Sequence, residues 1–285
     1  MQKELTIILG PTGVGKTDYS IQLAQEYSSP IINCDSRQIF KEMKIGTAPP
    51  SKEQLEMVQH YFIHSHSVVQ HYTAGLYEIE ALELLEKLFK THDKLVMVGG
   101  SGMYIDALCN GLDAFPKADL KLRSQLMERL KEEGLESLRK ELFLLDKASY
   151  HAIDIANPQR VIRALEVTLQ TGIKFSEWKS APKKERPFAI KKIGIIRDRE
   201  DLYNRINKRV DIMMEKGLLK EVESLQSYKN LPALITVGYR ELFDYLDNKH
   251  SIETAIELIK RNSRRYAKRQ ITYWGRDNSI NWIKF

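Results

Sequence analysis

Residues Gly10-Pro11-Thr12-Gly13-Val14-Gly15-Lys16-Thr17 constrain this chain more than any other segment. They fit the pattern G-x-x-x-x-G-K-[ST], a glycine-rich turn whose backbone N–H groups can face one phosphate. The context agrees. Leu5–Leu9 is a short apolar run that reads as a buried parallel strand, and Lys16–Tyr27 sets Ile21, Leu23, Ala24 and Tyr27 near helical spacing. A strand, a Gly-rich turn and a helix N-terminus together make an anion site. The whole segment Gly10–Thr17 is therefore expected to hold a diphosphate or triphosphate. Lys16 would reach the outer phosphates, and the Thr17 hydroxyl would sit on Mg²⁺.

The following segments repeat the theme. Pro30–Asp35 reads as a second strand with Asp35 at its tip. Ala74–Lys90 reads as a helix with Leu76, Ile79, Leu82 and Leu85 on one face. Leu95–Val98 is a third strand, stopped by Gly99-Gly100, and another helix starts near Met103. Such alternation predicts an α/β fold with a parallel sheet and helices on both faces. After Gly111 the pattern changes. Residues 113–187 show helical stretches at Leu120–Glu133, Leu135–Leu144 and Pro158–Gln170 and no convincing strand, and Lys192–Ile196 then reads as a strand again. The expected organisation is a core of residues 1–112 and 188–285 with an all-helical insert at 113–187. Ala181–Pro187, with two prolines and four charges, would be its return hinge. The remainder reads as helices at Arg199–Lys216, Leu218–Ser227, Tyr239–Leu246 and Ile252–Gly275.

Charge is unevenly spread. Residues 183–285 hold 23 Lys and Arg against 14 Asp and Glu, whereas residues 1–182 hold 21 against 24. A basic C-terminal third suggests a polyanion partner, nucleic acid before membrane; a solvated, salt-laced surface is the other reading. No run of 18 apolar residues occurs, so no membrane span is expected. The N-terminus leads into its apolar run with no small-residue cleavage site, and Cys34 and Cys109 share no metal-ligand spacing. A reduced, cytosolic monomer with no obligate protein partner fits these features.

A phosphate loop does not specify the reaction. An ATPase usually adds an Asp at the tip of another apolar strand. Leu95–Val98 ends in Gly99-Gly100-Ser101 with no acid, so Asp35 stands as either a metal-shell carboxylate or a catalytic base.

Several segments carry a resemblance when taken in order. They are the loop itself, with Pro11 and Thr12 in its middle, Asp35-Ser36-Arg37-Gln38, Ile45-Gly46-Thr47-Ala48 and Val98-Gly99-Gly100-Ser101-Gly102-Met103-Tyr104. Next come Asn157-Pro158-Gln159-Arg160-Val161-Ile162-Arg163-Ala164-Leu165-Glu166, Val237-Gly238-Tyr239-Arg240-Glu241 and Ala267-Lys268-Arg269-Gln270-Ile271-Thr272. The set resembles the tRNA dimethylallyltransferase (tRNA isopentenyltransferase) family over nearly the whole chain. That resemblance implies a P-loop NTPase-like core with an inserted helical domain. It also implies dimethylallyl diphosphate and Mg²⁺ as donor and cofactor, and prenylation of the adenosine just 3′ of the anticodon in a tRNA anticodon stem-loop. Carried over by motif, Asp35 is the general base, and Thr12 and Arg209 are catalytic diphosphate contacts. Asp35, Ser36, Arg37, Gln38, Ser101, Arg123, Gln159, Arg160, Val161, Ile162, Arg163, Thr236, Val237, Gly238, Tyr239, Arg240 and Glu241 fall where the family touches tRNA. Ser101 stands where many members have Thr, with the hydroxyl kept. The C-terminal zinc finger of some eukaryotic members is not found in these residues, which fits a bacterial-type enzyme.

The chemistry is consistent with those residues. An adenine amine is a poor nucleophile, and a carboxylate that takes its proton helps by about 10²–10⁴-fold. Stabilising the departing diphosphate needs cations, and Arg209 lies on the predicted helix from Arg199, one turn after Arg205. The target base must be turned out of a stacked loop, which an insert able to clamp that loop would assist. Arg160 and Arg163 are three apart on one helix, which suits a phosphate or base contact or a solvated face. Arg261, Arg264, Arg265, Lys268 and Arg269 form a basic run at helical spacing, readable as a tRNA footprint or as packing against acidic helices. His60, His64, His66 and His71 match no metal spacing and read as an ordinary loop. The competing functions are a small-molecule kinase, a prenyltransferase of free adenine nucleotides, and a nucleotide-regulated RNA-binding module.

Overall fold

The computed structural model describes residues 2–112, 115–116, 118–178 and 184–285. The chain divides into two compact units, residues 1–109 with 186–285, and residues 110–185. The expected hinge at Ala181–Pro187 lies partly outside the described residues, as does Asp113, the expected start of the insert. No helix among the described residues is long and apolar enough to cross a membrane.

The first unit opens with β1 (Glu4–Leu9), α1 (Lys16–Tyr27), β2 (Ile31–Asn33), α2 (Lys52–Met57), β3 (His60–Tyr61), α3 (Ala74–Leu88), β4 (Lys94–Val98) and α4 (Gly102–Asn110). The second unit contains α5 (Leu120–Leu145), α6 (Lys147–Ala152), α7 (Pro158–Thr171) and α8 (Phe175–Trp178). The chain returns through β5 (Ala189–Ile196), α9 (Arg199–Glu215), α10 (Leu218–Ser224), α11 (Tyr239–Leu246), α12 (Ile252–Trp274) and β6 (Ile280–Lys284). The six strands form one parallel sheet in the order β3-β2-β4-β1-β5-β6. With β1 between β4 and β5, the turns after β1, β2 and β4 gather at one edge. Ligands bind at such carboxyl ends of parallel strands.

Two short strands escaped the sequence reading. β3 has two residues, and β6 pairs only with β5 at the sheet edge. β5 begins at Ala189, three residues before the expected Lys192. Its first half, Ala189–Lys192, is not buried and half of it is lysine, and Lys192 is satisfied by an ion pair of 2.6 Å to Asp277. The buried face of α3 also differs from the expected leucine stripe. Leu76 and Ile79 are exposed, while Ala74, Tyr77, Glu78, Ala81 and Leu85 are buried. Tyr77 stacks on Tyr104 and donates to Asn33 O, and Glu78 pairs with Arg186 at 2.8 Å; both side chains of that pair are nearly inaccessible. Counting only aliphatic residues missed a face built on a tyrosine and an ion pair.

In the helical unit, α5 breaks where two helices were expected. Gly134 takes φ 79°, a left-handed conformation that glycine adopts without a Cβ penalty. Leu126, Leu138 and Leu142 of α5 pack on Val161, Ile162, Leu165 and Phe175 in a core of their own.

Candidate functional site

The loop after β1 is shaped by contacts that only glycine permits. A Cβ at Gly10, whose φ is 142°, would lie 2.5 Å from Ile195 O of β5. Val14 is buried with Ile21 and Ala24 of α1 against Ile8 and Ile195 and against Leu202 and Ile206 of α9. The buried positions Leu202, Ile206 and Val210 lie one turn apart, so α9 lies over the loop. Its arginines then meet the loop directly. Arg205 Nε donates to Gly13 O at 2.9 Å, and Arg209 Nη1 donates to Thr12 Oγ1 at 3.0 Å.

A cavity of about 450 Å³ opens on this loop, lined by Thr12, Gly13, Gly15, Lys16, Thr17, Asp35, Arg205 and Arg209 among others. Gly10, Pro11 and Val14, expected within the diphosphate segment, are buried in the supporting wall instead. Thr12 departs from the expected N–H cradle, because its N–H donates to Gln270 Oε1 at 2.8 Å and its hydroxyl meets Arg209. Lys16 Nζ donates to Gly10 O and Pro11 O at 2.9 and 2.8 Å. Burial, and then the Arg209 charge, pull its pKa down to about 8, against a smaller opposing pull from Asp35.

That depression sets a pH test. A bound diphosphate favours the ammonium form, so binding requires a proton that free Lys16 gives up as pH rises through about 8. Affinity for inorganic diphosphate should be full below that pH and fall above it, by up to about tenfold per pH unit. Lys16→Arg, which does not titrate in this range, should flatten the decline. Calorimetric titration across neutral and alkaline pH measures both, and an equal decline in the variant would refute the assignment to Lys16.

Asp35 follows β2 at the same sheet edge. Its Oδ1 accepts Arg37 N at 2.8 Å and Gln38 N at 3.3 Å, while Oδ2 takes no part in these bonds. Ser101 Oγ accepts Ser36 N at 2.8 Å and donates to Ser36 Oγ. Arg37 donates to Pro232 O, and Gln38 Nε2 donates to Thr47 O and Ala48 O. The turn is thus held while one carboxylate oxygen remains available to a ligand. A second cavity of about 550 Å³ contains Thr12, Asp35, Ser36, Arg37 and Arg209 with Thr236, Val237, Gly238, Arg240, Arg265 and Arg269. The two cavities share Thr12, Asp35, Thr47, Ala48, Arg209, Met213 and Tyr266.

Other expected contacts are turned inward. Tyr239 and Glu241 are buried. The Tyr239 hydroxyl donates to Glu221 Oε1 at 2.6 Å, and Glu241 accepts Gly238 N and Asn262 Nδ2. Glu221, which the sequence did not single out, also accepts the N–H groups of Lys44, Ile45 and Gly46 and so fixes that strap. On α12, Arg261, Arg265, Lys268 and Arg269 are exposed, but Arg264 donates to Asn207. Within the helical unit, Gln159 and Arg160 are exposed and Val161 and Ile162 are core. Arg163 does not share the Arg160 face. It joins Arg123 on the fully buried Glu166, donates to Pro116 O and lies over the Phe115 ring. A buried carboxylate needs such partners, which explains why these guanidiniums fold in. Among the histidines, His60 contacts Val58 O, and His66 contacts Ser65 and Glu80. No group of three or more His, Cys, Asp or Glu side chains suited to a metal occurs among the described residues.

Residues 38–277 match the family model described as IPP transferase. The chain is 49% identical over 279 residues to tRNA dimethylallyltransferase 1 of Bacteroides thetaiotaomicron, covering 98% of this chain and 91% of that protein. It is 48% identical over 285 residues to tRNA dimethylallyltransferase of Christiangramia forsetii, covering 100% and 94%. Among solved structures, the tRNA isopentenylpyrophosphate transferase of Bacillus halodurans superposes with a TM-score of 0.73 at 33% identity, over 99% of this chain and 90% of that one. A eukaryotic dimethylallyltransferase acting on tRNA superposes with a TM-score of 0.82 at 26% identity, over 99% and 74%.

Proposed function

This chain belongs to the IPP transferase family, and on that premise we propose that it transfers a dimethylallyl group from dimethylallyl diphosphate to the N6 amine of the adenosine 3′-adjacent to the anticodon in tRNA. The observation that carries this reading is the meeting of two cavities at Thr12, Asp35 and Arg209. One is lined by the phosphate loop, and the other by Thr236, Val237, Gly238 and Arg240 and the basic side chains Arg265 and Arg269. A diphosphate donor suits the first, and a polyanionic acceptor suits the second.

In this mechanism Lys16, Arg205 and Arg209 receive the diphosphate. The adenine N6 attacks the allylic carbon, the carbon–oxygen bond to diphosphate breaks, and the N6 proton passes to Asp35 Oδ2. Arg209 meets the growing negative charge on the leaving group while Thr12 orients Arg209. Thr17 lines the donor cavity beside Lys16, and its hydroxyl, a hard oxygen, would hold Mg²⁺ together with the diphosphate. Bound there, Mg²⁺ would neutralise charge on the leaving diphosphate. Arg160 and Gln159 supply the exposed contacts by which the helical unit would grip the anticodon stem-loop. The protein works as a cytoplasmic monomer in this reading.

Labelled dimethylallyl diphosphate incubated with Mg²⁺ and either tRNA, AMP, or a metabolite plus ATP decides the matter. Label is expected in tRNA without ATP. Label in AMP alone, or phosphate transfer that requires ATP, would overturn the tRNA assignment.

A further inference from the structure

The mechanism above leaves one buried polar side chain beside the reacting groups unused. Gln270 is 7% exposed, on a helix whose neighbouring Lys268 and Arg269 face solvent. Its Oε1 accepts the Thr12 N–H at 2.8 Å, and its Nε2 donates to Gly100 O at 2.9 Å. Both partners are backbone groups, so the amide has a single orientation that satisfies them. It ties α12 to the loop after β1 and to the turn after β4. The fit is close, since any side chain at Gly100 would collide with Gln270 Nε2.

The bond to Thr12 has a chemical consequence. In a phosphate loop the backbone N–H groups normally face the anion. At Thr12 that N–H is drawn away to Gln270, and the side chain takes its place at the cavity, where Arg209 Nη1 donates to the hydroxyl at 3.0 Å. We propose that Gln270 is a positioning residue for the transfer reaction: it fixes the Thr12 backbone so that the Thr12 hydroxyl and the Arg209 guanidinium stand together where the two cavities meet. This proposal rests on the transfer reaction inferred above. It also gives α12 two tasks, because Arg265 and Arg269 on the same helix line the acceptor cavity. The helix that meets the polyanion thereby also holds the loop that meets the leaving group.

Gln270→Met keeps the volume and removes both bonds. It is expected to lower kcat about tenfold or more, as loss of alignment at a developing charge does, with tRNA affinity within about threefold of wild type. A side chain that merely filled space would leave kcat unchanged once the protein had folded. Gln270→Glu supplies a sharper readout. A protonated carboxyl can accept from Thr12 N–H and donate to Gly100 O as the amide does, whereas a carboxylate cannot donate. Its activity relative to wild type should therefore recover as pH falls from mildly alkaline to mildly acidic. A kcat for Gln270→Met within about twofold of wild type would overturn the proposal. So would a flat ratio of Gln270→Glu to wild type across pH, which remains decisive even if Gln270→Met does not fold. Wild-type protein assayed alongside separates the premises, since its failure to prenylate tRNA would sink both readings, and normal transfer confines any failure to Gln270.

Discussion

Asp35→Asn is expected to reduce kcat for transfer to tRNA by about 10²–10⁴-fold, the ordinary contribution of a positioned base, while tRNA affinity changes little. Asn is the informative replacement. Its Oδ1 can still accept Arg37 N and Gln38 N, the bonds that hold the turn after β2, so the positions of Ser36, Arg37 and Gln38 survive. What disappears is the second oxygen as a proton acceptor. Asp35→Ala would also release the turn and mix binding with chemistry. Single-turnover transfer on prebound tRNA, set beside filter binding, separates the two effects. Near-normal single-turnover rates in Asp35→Asn would remove Asp35 from the base role, and a parallel loss of tRNA affinity would make it a binding residue instead.

The sequence made the phosphate loop legible because its geometry depends on glycines, a lysine and a threonine at fixed spacing, and because a strand and a helix must flank it. Asp35 was legible as a strand-tip acid, since a parallel strand ends at the ligand edge. Arg209 depended on the family resemblance, because a lone Arg on a polar helix looks the same whether it meets solvent or a cavity. The structure distinguishes them through Leu202, Ile206 and Val210, which turn α9 so that Arg205 and Arg209 face the loop. The partners of Arg163, Tyr239 and Glu241 were not legible. Tyr239 and Glu241 are set by side chains on other elements, Glu221 and Asn262, which no periodicity encodes. Glu166 lies at helical spacing from Arg163, but its full burial and its second partner, Arg123 on α5, depend on packing between helices. Gln270 was read only as part of a motif, because nothing local shows that its amide spans two backbone groups from other elements. β6 escaped for another reason: a five-residue edge strand has one sheet neighbour and only Ile280 buried, too little apolar pattern to stand out.

Arg209→Ala should lower kcat by about 10²–10³-fold, the loss expected when one preorganised donor to a developing anion is removed. The free site gathers like charges that a bound anion would offset. Lys16, Arg205 and Arg209 line one cavity, and the Arg209 guanidinium is held below its usual pKa by burial and then by Arg205. Arg209 in turn helps depress Lys16, second only to burial. A diphosphate bound among the three would relieve that repulsion, and in the transition state it gains further charge as the allylic carbon departs. Arg209→Lys keeps one positive charge but loses the planar fork that reaches Thr12 Oγ1 and a phosphate oxygen together, so it should recover only part of the rate. An independent readout comes from Lys16. With Arg209 gone, a like charge no longer opposes the ammonium, so the Lys16 pKa should rise. The alkaline decline in diphosphate affinity should then move to higher pH than in wild type. Burial remains the larger cause, so the shift should be partial. Turnover of Arg209→Ala within about tenfold of wild type would remove Arg209 from the leaving-group role. An alkaline decline that stays in place would mean that Arg209 and Lys16 do not share the diphosphate.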